Sequence, residues 1–228
     1  MLLKGVKNFK AIQPIISNPG RLINTFIVQS LLNFFYEADL YLKMNKDEGF
    51  WTYQLERTFL SMYLNGIIRN DRAKEVTVLQ EYAVWTRKNF SKGRCDAFIN
   101  YKKNAVMIEA KRDFDNIYIK DEHWNIDAWL EWDYVKIGKQ LENYHEVQKI
   151  YIKKEDYDSL QLMTLVFNLV KINPAKHHEE SKRHLESKIN ENFPRDWFYT
   201  FLYDKLIDKE TGLNTGLEIY GTIKTVYE

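Results

Sequence analysis

The segment GRCDAFINYKKNAVMIEAKR, residues 93–112, constrains the fold more strongly than any other part of the chain. Two runs of alternating apolar residues flank the polar turn YKKN at 101–104, a pattern typical of a β-hairpin. Side chains alternate between the two faces of a strand, so the apolar positions predict one buried face. Charged residues nevertheless stand at three positions inside the two strands: Asp96, Glu109 and Lys111.

The alternation assigns every residue of the hairpin to one of the two faces of the sheet. The face expected to pack against a helix holds Cys95, Ala97, Ile99, Val106, Ile108 and Ala110. The other face holds Asp96, Phe98, Met107, Glu109 and Lys111. The three charged side chains are therefore expected on one common face.

The register of the hairpin brings two of these charges together. A turn centred between Lys102 and Lys103 places Asp96 directly opposite Glu109. Directly opposed residues have Cβ atoms about 5 Å apart, and like charges in that position destabilise a sheet. Lys111, on the same face, offsets one of the two negative charges.

A divalent cation between Asp96 and Glu109 would offset both charges and use their oxygens as ligands. Carboxylate oxygens without clustered Cys or His favour Mg²⁺ or Mn²⁺ over Zn²⁺. The plain alternative is a solvated hairpin face whose carboxylate pair is partly neutralised by Lys111. Because IEAK at 108–111 lies in an otherwise apolar strand, we favour the metal site.

The rest of the chain predicts helices and strands around this hairpin. Helical spacing of apolar residues is found at about 21–44, 51–68, 136–154 and 177–193. Strand patterns are found at about 76–85, 160–172, 196–206 and 216–227. The order of these elements predicts an α/β fold, in which a mixed central sheet is flanked by helices.

No fixed-period repeat or long linker divides the chain, so a single domain of residues 1–228 is expected. Residues 1–50 are interpreted as an N-terminal helical addition, 51–173 as the core, and 174–228 as a C-terminal helix and strands.

Composition and charge limit the function classes. With 33 basic and 32 acidic residues, the net charge is only +1, so any nucleic-acid binding must use a local patch. The single cysteine cannot form an internal disulfide, and no signal sequence or membrane-spanning stretch is evident. A cytoplasmic protein with no membrane partner is expected.

The two charged strands carry a family resemblance. GRCD at 93–96 and IEAK at 108–111 follow a helix with a glutamate and precede a helix with a glutamine. This arrangement resembles the PD-(D/E)XK nuclease superfamily, although Cys95 stands where that family usually has proline. The resemblance implies a restriction-endonuclease-like αβββαβ core and an enzyme that hydrolyses DNA phosphodiester bonds with Mg²⁺ or Mn²⁺. RNA remains open as a substrate.

The resemblance also implies roles for individual residues. Asp96 and Glu109 would bind the metal ion, and Lys111 would lie beside the attacking water. A helical glutamate adds a metal ligand in similar nucleases, and Glu56 is the candidate for that role. Alternatively, Glu56 is a first-turn glutamate stabilised by the helix dipole, and Glu81 is the reserve candidate.

The sequence QLENY resembles the Q-x-x-x-Y element of the RecB-like branch of the superfamily. In that reading Gln140 orients the attacking water or a backbone phosphate, and Tyr144 packs on a sugar. The alternative is an exposed amphipathic helix, in which such a pair is ordinary.

Basic residues near the motif are candidate phosphate contacts. They are Lys92, Arg94, Lys102, Lys103, Arg112, Lys136 and Lys139, of which Lys92, Arg94 and Arg112 are the substrate-binding candidates. Clusters of tryptophan at 124–132 and histidine at 177–184 are interpreted as structural and as a solvated helix face, respectively.

Two other function classes remain open beside the nuclease. One is a nuclease-fold protein that no longer cuts and serves as a nucleic-acid-binding or assembly module. The other is a binding module in which the hairpin charges are incidental. A homodimer is left open as well.

Overall fold

The structure, a computed structural model, describes ten regular elements and the residues that adjoin them. The described residues are 9–44, 56–69, 75–84, 93–118, 135–148, 156–172, 183, 187, 196–207 and 214–227. The elements in chain order are β1 (Phe9–Ile16), α1 (Leu22–Met44), α2 (Glu56–Ile68), β2 (Val76–Val84), β3 (Gly93–Tyr101), β4 (Asn104–Tyr118), α3 (Val135–Gln148), β5 (Ser159–Ile172), β6 (Asp196–Ile207) and β7 (Asn214–Tyr227).

The seven strands form one mixed sheet in the order β1-β6-β7-β5-β4-β3-β2. Strands β4 and β5 are parallel, and every other neighbouring pair is antiparallel. Parallel neighbours need a crossover connection, and α3 lies in the connection from β4 to β5. The predicted α/β class with a mixed sheet is therefore confirmed.

Helices lie on both faces of the sheet. The larger core cluster joins apolar residues of α1 and α2 to alternate residues of the strands, including Ile108, Leu165 and Phe167. Phe59 of α2 stacks on Phe167 with ring centroids 5.4 Å apart. A smaller cluster joins Leu141 of α3 to the opposite face of β3, β4 and β5. The two helical layers thus reach β4 from opposite sides.

Helix α2 is held at close range to α1. The amide Nδ2 of Asn33 donates to the carbonyl of Gly66 over 2.9 Å. A Cβ at Gly66 would lie 2.9 Å from the backbone nitrogen of Phe34, so only glycine permits this approach. The contact fixes α2 and, with it, the position of Glu56.

The hairpin has the predicted register. Ala97 pairs with Ile108, Phe98 with Met107, and Tyr101 with Asn104, so the turn is centred between Lys102 and Lys103. Both turn residues have positive φ, 50° and 62°. Positive φ at both central residues is the conformation of a type I′ turn, whose twist matches that of the flanking strands.

The N-terminal region differs from its prediction. Residues 9–16 form β1 at the edge of the sheet instead of belonging to a helical addition. The pairing of β1 with β6 shifts register between Ile12 and Ile15, and Pro14 lies within that irregularity. Proline cannot donate a ladder hydrogen bond and is tolerated at edges and bulges, which is why Pro14 obscured the strand.

Several predicted elements agree with the structure, and others fall partly outside it. The structure confirms α1, α2 from residue 56, β2, α3 to residue 148, β5, β6 and β7. The helix expected at 177–193 lies outside the described residues except for positions 183 and 187. None of the described helices is long and apolar enough to cross a membrane.

Candidate active site

The candidate site begins where strands β3 and β4 stop pairing. The ladder between them ends at Ala97 and Ile108, although β3 starts at Gly93 and β4 continues beyond Ile108. Beyond that point, the backbone N–H of Ala110 donates to Asp96 Oδ2 over 2.7 Å. The Asp96 carboxylate therefore satisfies a donor that the ladder does not pair, and this bond fixes its position.

The predicted face assignment is wrong for the start of β3. Cys95 packs with Phe98 on the α3 side of the sheet, whereas Ala97 belongs to the core cluster that contains α1 and α2. Asp96 lines a cavity with Glu56 of α2 and so lies on the α2 side. Simple alternation would separate Cys95 from Phe98, so the strand is distorted at Asp96.

Lys111 stands among three carboxylates that come from three different elements. Its Nζ atom lies 3.1 Å from Glu109 Oε1 in β4, 3.9 Å from Asp96 Oδ2 in β3 and 4.0 Å from Glu56 Oε1 in α2. The Nζ also donates to the carbonyl of Ala110 over 2.8 Å. Lys111 therefore brings Asp96 and Glu109 into one cluster, which Glu56 joins. The predicted direct pairing of Asp96 with Glu109 on one face is wrong, because the ladder ends at Ala97 and Ile108 and Glu109 bonds to Gln140 of α3 instead.

Glu109 is the most enclosed of the three acids, with 2% of its surface exposed. Its Oε1 accepts hydrogen bonds from Lys111 Nζ over 3.1 Å and from Gln140 Nε2 of α3 over 2.5 Å. Its Oε2 is buried and has no hydrogen-bond partner within the described part of the chain. A buried carboxylate oxygen without a donor is costly, so a cation or an additional donor at Oε2 would stabilise the charged form of Glu109.

The site favours an additional positive charge. Burial, followed by the nearby charge of Asp96, raises the pKa of Glu109 to about 7. Burial is also the main reason that the pKa values of Asp96 and Glu56 are raised. Burial alone would lower the pKa of Lys111, but the three carboxylates, with Glu109 first, outweigh that effect and raise it. The single ammonium of Lys111 thus interacts with all three carboxylates.

Glu56 is better placed than Glu81 to be the additional acid of this cluster. The backbone N–H of Arg112 donates to Glu56 Oε2 over 3.2 Å, which ties α2 to β4. Glu81 instead binds two arginines, Arg57 Nη2 at 3.0 Å and Arg94 Nη1 at 2.6 Å.

Arg112 is the third substrate-binding candidate. Its guanidinium lies 5.9 Å from the ring centroid of Phe59, and burial lowers the pKa of this guanidinium.

A cavity of about 380 Å³ opens beside the carboxylates. Its lining consists of Glu56, Arg57, Leu60, Ser61, Gln80, Glu81, Arg94 and Asp96. Arg57 was not predicted from the sequence, because helical spacing gives no reason to place it near Arg94. The signal that could have drawn attention to it was its position directly after Glu56.

Other candidate residues do not join the cluster or lie outside the described part. Lys102 and Lys103 form the turn, six residues along β3 from Asp96 and therefore about 20 Å away. Tyr144 lies one turn after Gln140 in α3, but its side chain is not among those described. Lys136 and Lys139 are exposed on α3. Lys92, the three tryptophans at 124–132 and the three histidines at 177–184 lie outside the described residues.

The donor atoms of the cluster suit the divalent ion that the resemblance implies. Asp96, Glu109 and Glu56 offer hard carboxylate oxygens, and Glu109 Oε2 is a buried oxygen that lacks a partner. As the side chains stand, no group of three His, Cys, Asp or Glu residues in the described segments is arranged to hold a metal ion. Lys111 Nζ instead lies among the acids, and it would have to move away for a metal ion to bind between them.

Comparison of the chain with protein-family models, with curated proteins and with solved structures gave no match.

Proposed function

We propose that this chain is a metal-dependent nuclease that hydrolyses DNA phosphodiester bonds at Asp96, Glu109 and Lys111. The observation that supports it best is the position of Lys111 Nζ, within 4.0 Å of three carboxylates where two strands separate. The order α2-β2-β3-β4-α3-β5, with β5 parallel to β4, agrees with the restriction-endonuclease-like core that the sequence resembles.

Phosphodiester hydrolysis needs an activated water and a means of stabilising charge on the phosphoryl oxygens. A divalent ion held by Asp96, Glu109 and Glu56 would supply Lewis-acid stabilisation and a lower pKa for a bound water. The protein holds each proposed ligand by a separate bond. Asp96 accepts from the N–H of Ala110, Glu56 accepts from the N–H of Arg112, and Glu109 accepts from Gln140.

Lys111 has the role of positioning the attacking water beside the carboxylates. Its ammonium is an electrostatic partner for hydroxide, and its three N–H donors can hold a water oxygen in place. In the structure those donors are directed to Glu109 and to the carbonyl of Ala110. Movement of Lys111 away from the acids would leave them for the metal ion and bring the ammonium to the water.

The direct test is a cleavage assay on linear, circular, single-stranded and double-stranded DNA with Mg²⁺ or Mn²⁺, and with EDTA as the metal-free reference. We expect metal-dependent cleavage by the wild type and a loss of about 100-fold or more in Lys111→Ala, the usual range for a positioned proton-handling group. DNA binding should largely remain.

Lys224→Ala is the matched control, because Lys224 is also a half-exposed lysine paired with an acid, Glu142, at 2.9 Å. It should cleave at the wild-type rate. Absence of cleavage on every DNA form in both metals, or full activity in Lys111→Ala, would contradict the proposal.

A second candidate is a nuclease-fold protein that no longer cuts and acts in nucleic-acid binding or assembly. It is favoured by the way Lys111 Nζ already supplies a positive charge to the three acids, which reduces their need for a metal ion. In that case DNA binding would occur without any cleavage, and metal would not change the stability of the protein.

A further inference from the structure

The backbone of β2 is distorted at Glu81, beside the cavity. Glu81 has a φ of 49°, in the left-handed region that residues other than glycine rarely occupy. As a result Gln80 and Glu81, which are consecutive in a strand and would normally face opposite sides, both line the cavity. Strain of this kind persists only where the surrounding structure supports it, and it is concentrated at functional sites.

Glu81 uses this position to hold two arginines from different elements. Its Oε1 binds Arg57 of α2 and its Oε2 binds Arg94 of β3, at 3.0 and 2.6 Å. The arginine side chains remain 83% and 66% exposed. Exposed ion pairs stabilise a fold little, less than the left-handed conformation of Glu81 costs. Fold stability therefore does not explain the arrangement.

The two arginines bound by Glu81 keep N–H donors available to a ligand. Each guanidinium has five N–H groups in a rigid fork, and one carboxylate cannot occupy those of two arginines. The three side chains together carry a net charge of +1. They share the lining of the cavity with Asp96 and Glu56 of the candidate active site, so an anion bound by the arginines lies close to the proposed metal ligands.

We propose that Arg57 and Arg94 form a phosphate subsite, with Glu81 as the residue that positions them. The ligand is a backbone phosphate of a nucleic-acid strand, adjoining the phosphate to be cleaved, and in this identification the inference rests on the proposed nuclease function. Guanidinium forks match phosphate oxygens in a bidentate geometry. A cavity of about 380 Å³ is at the lower end of the size of ligand sites and suits one nucleotide unit.

The test is the binding of a fluorescently labelled oligonucleotide, single-stranded and as its duplex, measured by anisotropy in EDTA over a range of salt concentrations. We expect Arg57→Gln/Arg94→Gln to weaken binding about tenfold at low salt for the form that the wild type binds. The slope of log K against log salt concentration should flatten by about 0.7 for the single strand or about 0.9 for the duplex, since one phosphate contact is lost. Two unrelated base sequences should be affected equally.

Arg69→Gln is the matched control, since Arg69 lies just beyond the C-terminal end of α2 and is also an exposed arginine paired with one acid, Glu37 at 2.6 Å. It should bind like the wild type. Wild-type affinity and salt slope in the double variant, or no binding by the wild type, would overturn the subsite. Because EDTA removes the metal ion, arginine-dependent binding without cleavage in a metal-supplemented assay would leave the subsite standing and contradict only the nuclease.

Discussion

Glu109, a proposed metal ligand, is expected to destabilise the folded chain when its carboxylate is charged. Its pKa is raised to about 7, mainly by burial, while an unfolded chain would keep it near 4.5. The folded state therefore binds more protons than the unfolded state between these values, and stability falls as the pH rises through this window. Above pH 7 the buried carboxylate is charged and its cost is fully expressed.

We therefore expect Glu109→Gln to be more stable than the wild type at pH 8, by about 2 kcal/mol in EDTA, and close to it near pH 4, below the unfolded pKa. Urea unfolding at both pH values measures the difference. Glu75→Gln removes an exposed acid and should change stability by less than about 0.5 kcal/mol at either pH. A Glu109→Gln protein that is less stable than the wild type at pH 8 would show that the carboxylate stabilises the fold in EDTA.

The grouping of the central acids with Lys111 was predictable from the sequence, and Arg94 was a substrate-binding candidate. The position of Arg57 and the pairing of both arginines with Glu81 were not predicted. Strand alternation and hairpin register are regular properties, so they predict that the hairpin brings Asp96 towards Glu109, although the two residues do not pair directly in the ladder. The left-handed conformation of Glu81 is an exception to alternation that no local pattern encodes. The distortion at Asp96 is a second exception, and it moved Cys95 to the opposite face.

At the scale of elements, the hairpin turn is a place where a substitution should change the stability of the fold and leave the proposed activity unchanged. Lys102 and Lys103 adopt positive φ, which asparagine and glycine tolerate better than lysine. The salt bridge of Lys102 with Glu75 is exposed and stabilises little. We expect Lys102→Asn/Lys103→Gly to raise the free energy of unfolding by about 1 kcal/mol.

The same variant should cleave DNA at the wild-type rate, because the turn lies about 20 Å along the strands from Asp96. Thermal or urea unfolding and the cleavage assay give the two readouts. A destabilised variant would mean that the lysine contacts outweigh the backbone strain, and lost cleavage would place the substrate along the whole hairpin.

Element boundaries were predictable where periodicity was strong and failed where it was interrupted. The apolar runs of α1 and β5 are long, and their observed bounds agree with the pattern. Strand β1 is short, lies at an edge and contains Pro14, so its pairing with β6 depends on a strand nearly 190 residues later in the chain. Pairing between strands so far apart in the chain produces no pattern in the local sequence.

At the scale of the whole molecule, the near-neutral net charge conceals an uneven distribution. The protein carries only +1 in total, yet the site gathers three acids around one lysine. Each of those acids has a raised pKa, so their negative charges destabilise the fold at neutral pH and a bound cation would compensate them. A ligand that binds only the folded state stabilises it by mass action.

Mn²⁺ should therefore raise the melting temperature of the wild type by about 5 °C or more when it is present at about 100 times its dissociation constant. The rise should be smaller at pH 5.5 than at pH 8, because the carboxylates must lose their protons to bind the metal ion. Thermal melts with Mn²⁺ and with EDTA measure it. Asp96→Asn should lose the shift, whereas Asp158→Asn, which changes an exposed aspartate beside the hairpin turn, should keep it. An equal shift in both variants would place the ion elsewhere, and no shift in the wild type would leave Lys111 as the permanent cation of the site.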